Sequence, residues 1–261
     1  MKKFLAAVLS VLFVALAFAG CSGDKKTDSD LAKIQEKGTM IVGITDFAPM
    51  DYKDENGDWI GFDADLAKIV GEKLGVKVEF LVIEWDSKFF ELEAGKIDCV
   101  WNGMTITDDV KLNSNPTKAY AMNQQVVVSK ADLAGKLKTT DDLKGLKFAV
   151  ENGSAGQDAI KEVVDEDNIV AVTAQSDALL EVASGTVDAC VIDSTMAAAM
   201  TGEGTSYADL VSSVTLVDEQ YGISFRKGSD ATDKVNELLD ELKADGTMQK
   251  LADKYSVQLA D

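Results

Sequence analysis

The segment WNGMTITDDVKL, residues 101–112, carries the residue types of a binding site for a small polar molecule. It places Gly103 and the hydroxyl residue Thr105 at the end of an apolar stretch that is typical of a buried strand. Glycine lets a ligand approach the backbone closely, and threonine offers both a hydrogen-bond donor and an acceptor. The pattern predicts a cradle for a ligand head group, although no arginine follows it.

Two later segments also carry residue types that suit the binding of a small polar ligand. GSAG, residues 153–156, is a glycine-rich turn before a predicted helix, and free amides at a helix start suit a carboxylate. Asp193 follows the apolar run CVI, which reads as a buried strand. A carboxylate there would lie at the mouth of a cleft and bind a cation, or it would cap a helix that starts at Ser194.

Composition excludes several classes of chemistry. The 261 residues contain no histidine, so Ser-His-Asp catalysis, Cys-His catalysis and imidazole metal sites are absent. The formal charge of −19 argues against a nucleic-acid surface. Cys99 and Cys190 lie inside apolar runs without a CxxC pattern, so we expect buried free thiols. We expect no metal, no cofactor and no nucleic-acid partner.

The N-terminus is organised like a signal peptide over residues 1–20. Lys2 and Lys3 precede an apolar run, and Ala19 and Gly20 precede Cys21. FAGC resembles a bacterial lipobox, which predicts that Cys21 is acylated; the alternative is a signal peptide that is cut elsewhere. Residues 21–32 are small, polar and charged, as in a flexible tether. We therefore expect a lipid anchor on the extracytoplasmic face of the cell membrane.

The elements that must position these residues alternate between strand and helix. TMIVGI, VKVEF and KIDCVW read as strands, with helices between them, and LKFAV starts a second copy of the pattern near residue 147. LEAGKIDCV (92–100) and VASGTVDACV (182–191) share a helix end, a glycine, an aspartate and a cysteine-bearing strand. This internal repetition predicts two doubly wound α/β lobes rather than one continuous sheet.

Extended apolar segments join the two copies. Residues 122–129 and 215–220 have the composition of strands rather than of a glycine- and serine-rich linker. They predict a two-stranded hinge. Two amphipathic helices, residues 233–244 and 248–255, complete the chain.

Several phrases, in this order and spacing, resemble one family. They include DENGDWIGFDADLAKIV, KIDCVWNGMTIT, ENGSAGQ, VDACVIDS and YGISFRKGSD. The chain resembles, from about residue 33 to 255, the extracytoplasmic solute-binding proteins of ABC importers, polar amino-acid group (family 3 type). The resemblance implies a type II periplasmic-binding-protein-like clamshell. Lobe 1 would comprise residues 33–124 and 219–261, and lobe 2 residues 125–218.

The resemblance also implies ligand contacts. In lobe 1, Phe47 would stack on the ligand and Trp85 would form a second wall of the pocket. Gly103 and Thr105 would hold the head group of the ligand. In lobe 2, Ser154 would donate a hydrogen bond to the ligand and Asp193 would bind its α-ammonium group. Phe47 could instead belong to the core, and Trp85 to the lobe surface.

The sequence departs from the family pattern at its carboxylate clamp. Val110 stands where the family has an arginine that binds the α-carboxylate bidentately. The only arginine of the chain, Arg226, matches a family position outside the pocket. Lys111 and Lys118 are close in sequence and would need a backbone shift to reach a ligand. Ala155 replaces a second hydroxyl residue, so one further donor is lost.

The leading hypothesis is a monomeric, non-enzymatic binding protein that delivers a small polar ligand, most simply an amino acid, to an ABC permease. A first alternative is an amine without an α-carboxylate, held by Asp193 and Asp46. A second is a dehydratase-like enzyme on the same scaffold, for which Glu84 and Asp46 are the candidate acids. A sensing role that presents the ligand to a membrane receptor would use the same clamshell.

Overall fold

The computed structural model describes residues 29–261, and its first half alternates strands and helices as predicted. The elements of this half are α1 (Asp30–Lys37), β1 (Thr39–Ile44), β2 (Tyr52–Lys53), β3 (Trp59–Ile60), α2 (Phe62–Leu74), β4 (Lys77–Val82), α3 (Lys88–Glu93), β5 (Cys99–Thr105), α4 (Asp108–Asn113) and β6 (Asn115–Pro116). A 3₁₀ turn, Trp85–Ser87, leads into α3.

The second half continues the alternation. Its elements are β7 (Ala121–Lys130), α5 (Ala131–Ala134), β8 (Phe148–Glu151), α6 (Ala155–Lys161), β9 (Ile169–Val172), α7 (Gln175–Ser184), β10 (Ala189–Asp193), α8 (Ser194–Met200), β11 (Leu210–Phe225), α9 (Ala231–Ala244) and α10 (Thr247–Tyr255). Within residues 29–261, no helix has the length and apolar character that crossing a membrane requires.

The N-terminal expectations fall mainly on residues that precede the described part of the chain. The signal peptide and Cys21 lie outside it, as does most of the tether. Helix α1 begins at Asp30, inside the range 21–32 expected for the tether, and the Ser29 hydroxyl accepts a hydrogen bond from the Ala32 amide at 2.9 Å. The expected tether range therefore overlaps the start of a helix, because the small polar residues that indicated a tether also make good helix caps.

The sheet confirms the two-lobe architecture and the hinge. Its strand order is β4-β1-β5-β11-β7-β10-β8-β9, with β6 beside β11. Strands β4, β1 and β5 are parallel in lobe 1, and β10, β8 and β9 are parallel in lobe 2. The long strands β7 and β11 pair antiparallel in the middle. Hydrogen bonding continues from one lobe to the other through these hinge strands, so the two expected sheets are joined into one.

The repeated aspartate has the same structural role in both lobes. The Asp98 carboxylate accepts from the Ile41 amide at 2.7 Å, and the Asp188 carboxylate accepts from the Lys147 amide at 2.8 Å. Each aspartate therefore fixes the start of a neighbouring parallel strand. The internal repetition in the sequence corresponds to a repeated connection between a helix and a strand.

The core lies on both faces of the sheet and aligns the strand ends. Cys99 and Cys190 are buried and free, as predicted. Strand β5 is buried through Met104, and β8 and β10 are buried along their full length. The carboxyl ends of the parallel strands in the two lobes face each other across the hinge, which is where open α/β sheets bind ligands.

Candidate ligand-binding site

A cavity lies between the lobes, and all six residues expected to contact a ligand line it. It encloses about 540 Å³ of space, including its opening to solvent. The structure brings together at this cavity Phe47, Trp85, Gly103, Thr105, Ser154 and Asp193. These residues come from both lobes and are separated by up to 146 positions in sequence, so only the closed fold makes them neighbours.

Gly103 shapes the lobe 1 wall through its missing side chain. Its φ is +55°, and a Cβ atom there would come within 2.6 Å of Phe47 Cε1. Any other residue would push Phe47 away from the cavity. The Gly103 amide donates to the buried Asp63 carboxylate at 2.7 Å. The backbone amide of Gly103 is therefore unavailable to a ligand, and the head-group role expected for it is limited to close approach.

Lys88 is a cavity-lining cation that the sequence analysis missed. Its ammonium group donates to the carbonyl oxygens of Trp85 at 3.1 Å and Gly153 at 3.0 Å, and it lies 4.9 Å from the centre of the Trp85 ring. Burial lowers the pKa of Lys88, while Glu151 and Asp109 favour its charged form. No carboxylate within residues 29–261 forms an ion pair with it. Lys88 thus supplies positive charge to a cavity that lacks arginine.

The basic residues considered from the sequence lie elsewhere. Lys111 and Lys118 do not line the cavity, and Lys118 pairs with Asp240 on the surface at 2.8 Å. Neither side chain reaches the cavity without the backbone shift named above, because both are exposed on the surface. Arg226 binds Asp30 at 3.0 Å and does not line the cavity, as expected.

Val110 packs where the family arginine would stand. It is 4% exposed, lines the cavity and belongs to a small apolar cluster with Trp85 and Met104. Its amide donates to the Thr107 hydroxyl at 3.1 Å, which caps the start of α4. A longer side chain at position 110, such as arginine, would therefore start at the cavity wall and could extend into the cavity.

Ser154 combines a structural contact with a free donor. Its hydroxyl oxygen accepts from the Gln157 amide at 3.1 Å and so caps α6. The hydroxyl proton remains available to a ligand, since serine both donates and accepts. Ala155 also lines the cavity and contributes no side-chain donor.

Asp193 is a buried carboxylate held by several donors. Its Oδ1 atom accepts from the Tyr221 hydroxyl at 2.8 Å and from the Gln125 amide at 2.9 Å, and also from Asn123. Its Oδ2 atom accepts from Gln175. These bonds fix the carboxylate at the cavity wall.

The environment of Asp193 favours its neutral form in the absence of a cation. Burial raises its pKa well above the usual range, and the nearby carboxylate of Glu219 adds to the effect. Its side chain makes no capping bond to helix α8. The alternative role as a helix cap is therefore wrong, because the side chain turns towards the hinge residues instead.

Glu151 is a second carboxylate that the sequence analysis missed. It ends β8, is 3% exposed and lines the cavity, and its Oε1 atom is buried without a hydrogen-bond partner. Burial raises its pKa to about 8, although Lys88 opposes the shift. Asp46 and Glu84, named for the alternative functions, are exposed and do not line the cavity. The sequence feature that could have indicated Glu151 is its position as a charged residue at the end of the apolar run FAVE.

Direct contacts hold the two lobes together on one side of the cavity. The Asn152 amide of lobe 2 donates to the Asp86 carboxylate of lobe 1 at 2.8 Å. Gly153 has a φ of +71°, and a Cβ atom there would lie 2.9 Å from the Asp86 Cα. Ser87 directly precedes α3, and the Asp86 side chain faces the other lobe. Together with the bond from Lys88 to Gly153, these contacts describe a closed clamshell.

A family model for bacterial extracellular solute-binding proteins, family 3, matches residues 40–258. The chain belongs to this family. Its sequence is 32% identical to the "Probable histidine-binding protein" of Neisseria gonorrhoeae, covering 98% of this chain and 96% of that protein. It is 34% identical to the "Probable amino-acid-binding protein YxeM" of Bacillus subtilis (strain 168), covering 98% and 95%.

A solved structure with a similar fold is that of the ancestral amino acid-binding protein AncCDT-1, described as a precursor of cyclohexadienyl dehydratase. It is 37% identical in sequence and superposes with a TM-score of 0.79, covering 87% of this chain and 99% of that chain. The relatives of this solute-binding protein are amino-acid-binding proteins of ABC importers, so the family and the fold expected from the sequence are both confirmed.

Proposed function

We propose that this solute-binding protein is anchored to the membrane by a lipid on Cys21 and delivers an amino acid to an ABC permease. The observation that supports this most strongly is the cavity, where Asp193 and Ser154 of lobe 2 face Phe47 and Thr105 of lobe 1. A ligand that contacts both lobes favours the closed state over the open one. Such a protein captures its ligand without chemical change.

Asp193 binds the α-ammonium group in this proposal. Its pKa is raised in the empty cavity, so an incoming ammonium group supplies the positive charge that the buried carboxylate lacks. The four side chains that donate to it hold its orientation before the ligand arrives. Phe47 and Trp85 then enclose the rest of the ligand.

The α-carboxylate is bound without arginine. Lys88 contributes positive charge from lobe 1, and Thr105 and Ser154 contribute hydroxyl donors from the two lobes. Two of the three ammonium hydrogens of Lys88 are directed to carbonyl groups, which leaves one for a ligand. A single bond from lysine replaces a bidentate clamp, so we expect weaker binding than an arginine would provide.

The amine alternative receives its support from Val110 and from Glu151. Val110 removes the family's carboxylate clamp, and Glu151 provides a second acid inside the cavity, which Asp46 does not. Lys88 favours the amino acid, because the α-carboxylate of such a ligand would give its ammonium group the ion pair that no carboxylate of residues 29–261 forms with it. The two ligand classes therefore differ in what they require of Lys88.

A thermal-shift screen of the mature protein tests the proposed ligand class. Ligands that bind only the folded protein raise the melting temperature according to their concentration and affinity. We expect stabilisation by one or more amino acids and none by oligopeptides. Stabilisation by amines or oligopeptides alone would contradict the proposal.

The lipid anchor has a separate test. Cys21→Ser should release the protein from the membrane fraction, because a serine at this position cannot form the thioether to the lipid. The readouts are membrane fractionation and labelling with a fatty-acid probe. Membrane retention of the variant without labelling of the parent would contradict the anchor and leave the binding function untouched.

A further inference from the structure

The lobe 2 wall of the cavity holds two buried carboxylates with different surroundings. Asp193 accepts hydrogen bonds on both oxygens, whereas Glu151 Oε1 is buried without a partner. Within residues 29–261, Asp51, Asp63, Glu151 and Glu219 each have a carboxylate oxygen that is buried without a hydrogen-bond partner, and of these four residues Glu151 alone lines the cavity. The assigned role of Asp193 in binding the α-ammonium group leaves Glu151 unexplained.

The two carboxylates emerge at the same edge of the sheet. Glu151 ends β8 and Asp193 ends β10, and these neighbouring strands are parallel with Cys190 opposite Ala149. Gln175 donates to Asp193 and lies close enough to Glu151 to favour its ionised form. One ligand can therefore meet both acids from the cavity.

The ionisable residues that line the cavity are mainly acidic. Among residues 29–261, Lys88 is the only basic residue of the lining, against the four acidic residues Asp109, Glu151, Asp158 and Asp193. A zwitterionic ligand brings no net charge and leaves this excess unchanged. A ligand with one additional positive group reduces this excess of acidic groups at Glu151, where one carboxylate oxygen lacks a hydrogen-bond partner.

We propose that Glu151 binds a second cationic group of the ligand, so the protein selects amino acids with a positively charged side chain. This inference rests on the proposed function, because it takes the α-ammonium group to be at Asp193. It assigns to Glu151 the choice among amino acids and to Asp193 the recognition of amino acids in general.

The protonation of Glu151 gives the proposal a second readout. Its raised pKa of about 8 means that the empty protein holds a proton there near pH 7. The groups that act on it are Lys88 of α3, Thr45 beyond β1, and Gln175 and Asp177 of α7. A cationic group placed beside Glu151 stabilises the carboxylate, so binding releases that proton.

Matched ligand pairs and matched variants test the proposal by calorimetry. The pairs are L-arginine with L-citrulline and L-lysine with L-norleucine, which differ mainly in side-chain charge. The parent should bind each cationic member about 10- to 100-fold more tightly, as expected for a charge-assisted bond. Glu151→Gln keeps the side-chain shape and should remove most of that preference. Glu162→Gln is the control, since Glu162 is an exposed glutamate of lobe 2 outside this cavity.

Proton release is measured by repeating the titrations at pH 7 in buffers of different ionisation enthalpy. The parent should release more protons with arginine than with citrulline, and the difference should vanish in Glu151→Gln; any release from Asp193 is common to both ligands. An unchanged preference in Glu151→Gln, or a parent that binds citrulline and norleucine as tightly as their cationic partners, overturns the inference and leaves the proposed function intact. No binding of any amino acid by the parent overturns both.

Discussion

The two lobes share a plan of connection but use their buried carboxylates differently. Asp98 in lobe 1 and Asp188 in lobe 2 fix equivalent strand starts. Behind the lobe 1 wall, Asp63 accepts from the Gly103 amide and from the Tyr120 hydroxyl at 2.8 Å. In lobe 2, Asp193 and Glu151 line the cavity itself. A buried acid whose hydrogen-bond donors lie inside one lobe stabilises the structure of that lobe. A buried acid that lines the cavity can instead bind a positively charged group of a ligand.

The buried acids of lobe 1, Asp51 and Asp63, therefore position cavity-lining residues without lining the cavity themselves. Asp51 accepts from the Asn102 amide at 2.7 Å, and the same Asn102 accepts from the Thr45 amide at 2.9 Å. These bonds link β1 and β5 next to Phe47. This difference between the lobes can be tested by replacing one buried acid in each lobe and measuring the free energy of unfolding and the ligand affinity of both variants.

The largest expected effect is on stability in lobe 1. Asp63→Ala leaves the Gly103 amide and the Tyr120 hydroxyl without their acceptor, at a cost of about 2 to 5 kcal/mol in the free energy of unfolding. Asp63→Asn retains an acceptor and should cost less. Chemical denaturation of the mature, ligand-free protein measures both. Equal stability of parent and Asp63→Ala would show that these buried bonds do not hold the lobe 1 wall.

The next effect is on affinity in lobe 2. Asp193→Asn keeps the shape and removes the charge, so every amino acid ligand should lose about 1.5 to 3 kcal/mol of binding free energy, roughly tenfold to a hundredfold. Stability should change less than in Asp63→Ala. Calorimetric titration supplies the affinity, and a variant that binds as tightly as the parent would contradict the assignment of the ammonium group to Asp193.

A smaller effect is a pH dependence of stability that comes from Asp63. Burial raises its folded-state pKa to about 7, from an unfolded value near 3.8. Between these values the folded protein holds a proton that the unfolded chain has released, so this contribution is complete below about pH 4 and is lost as pH rises through 7. The loss between pH 5 and pH 7 should be about 2 kcal/mol smaller in Asp63→Asn than in the parent. Denaturation curves at the two pH values measure it, and identical losses would contradict the raised pKa.

The sequence predicts a site residue well when its position follows from local pattern. Asp193 ends an apolar run and Gly103 follows another, so the local pattern predicts that both lie near the ends of strands. The family resemblance supplied the roles of Phe47 and Trp85. All of them line one cavity in the structure.

The sequence did not predict Lys88 and Glu151 as cavity residues, because charged residues are usually assigned to the protein surface. Lys88 follows Trp85 by three residues, a spacing that brings both to the same side of a helical turn, and its burial depends on Gly153 from the other lobe. Glu151 ends β8, whose partner strands β9 and β10 both come later in the chain, with Val172 opposite Glu151. Asp63 lies in the first turn of α2, a usual position for an exposed acid, but its carboxylate turns inward to the Gly103 amide. Contacts between distant segments decide these three residues, and no local pattern records them.

The most direct test of the account concerns the carboxylate that Val110 leaves without an arginine. The measurement is calorimetric titration of parent, Val110→Arg and Lys88→Met with the amino acid identified by the thermal-shift screen and with its decarboxylated amine. We expect the parent to bind the amino acid more tightly than the amine, Val110→Arg to widen that difference and Lys88→Met to narrow it. An amine that binds the parent as tightly as, or more tightly than, its amino acid would contradict the account and favour a ligand without an α-carboxylate.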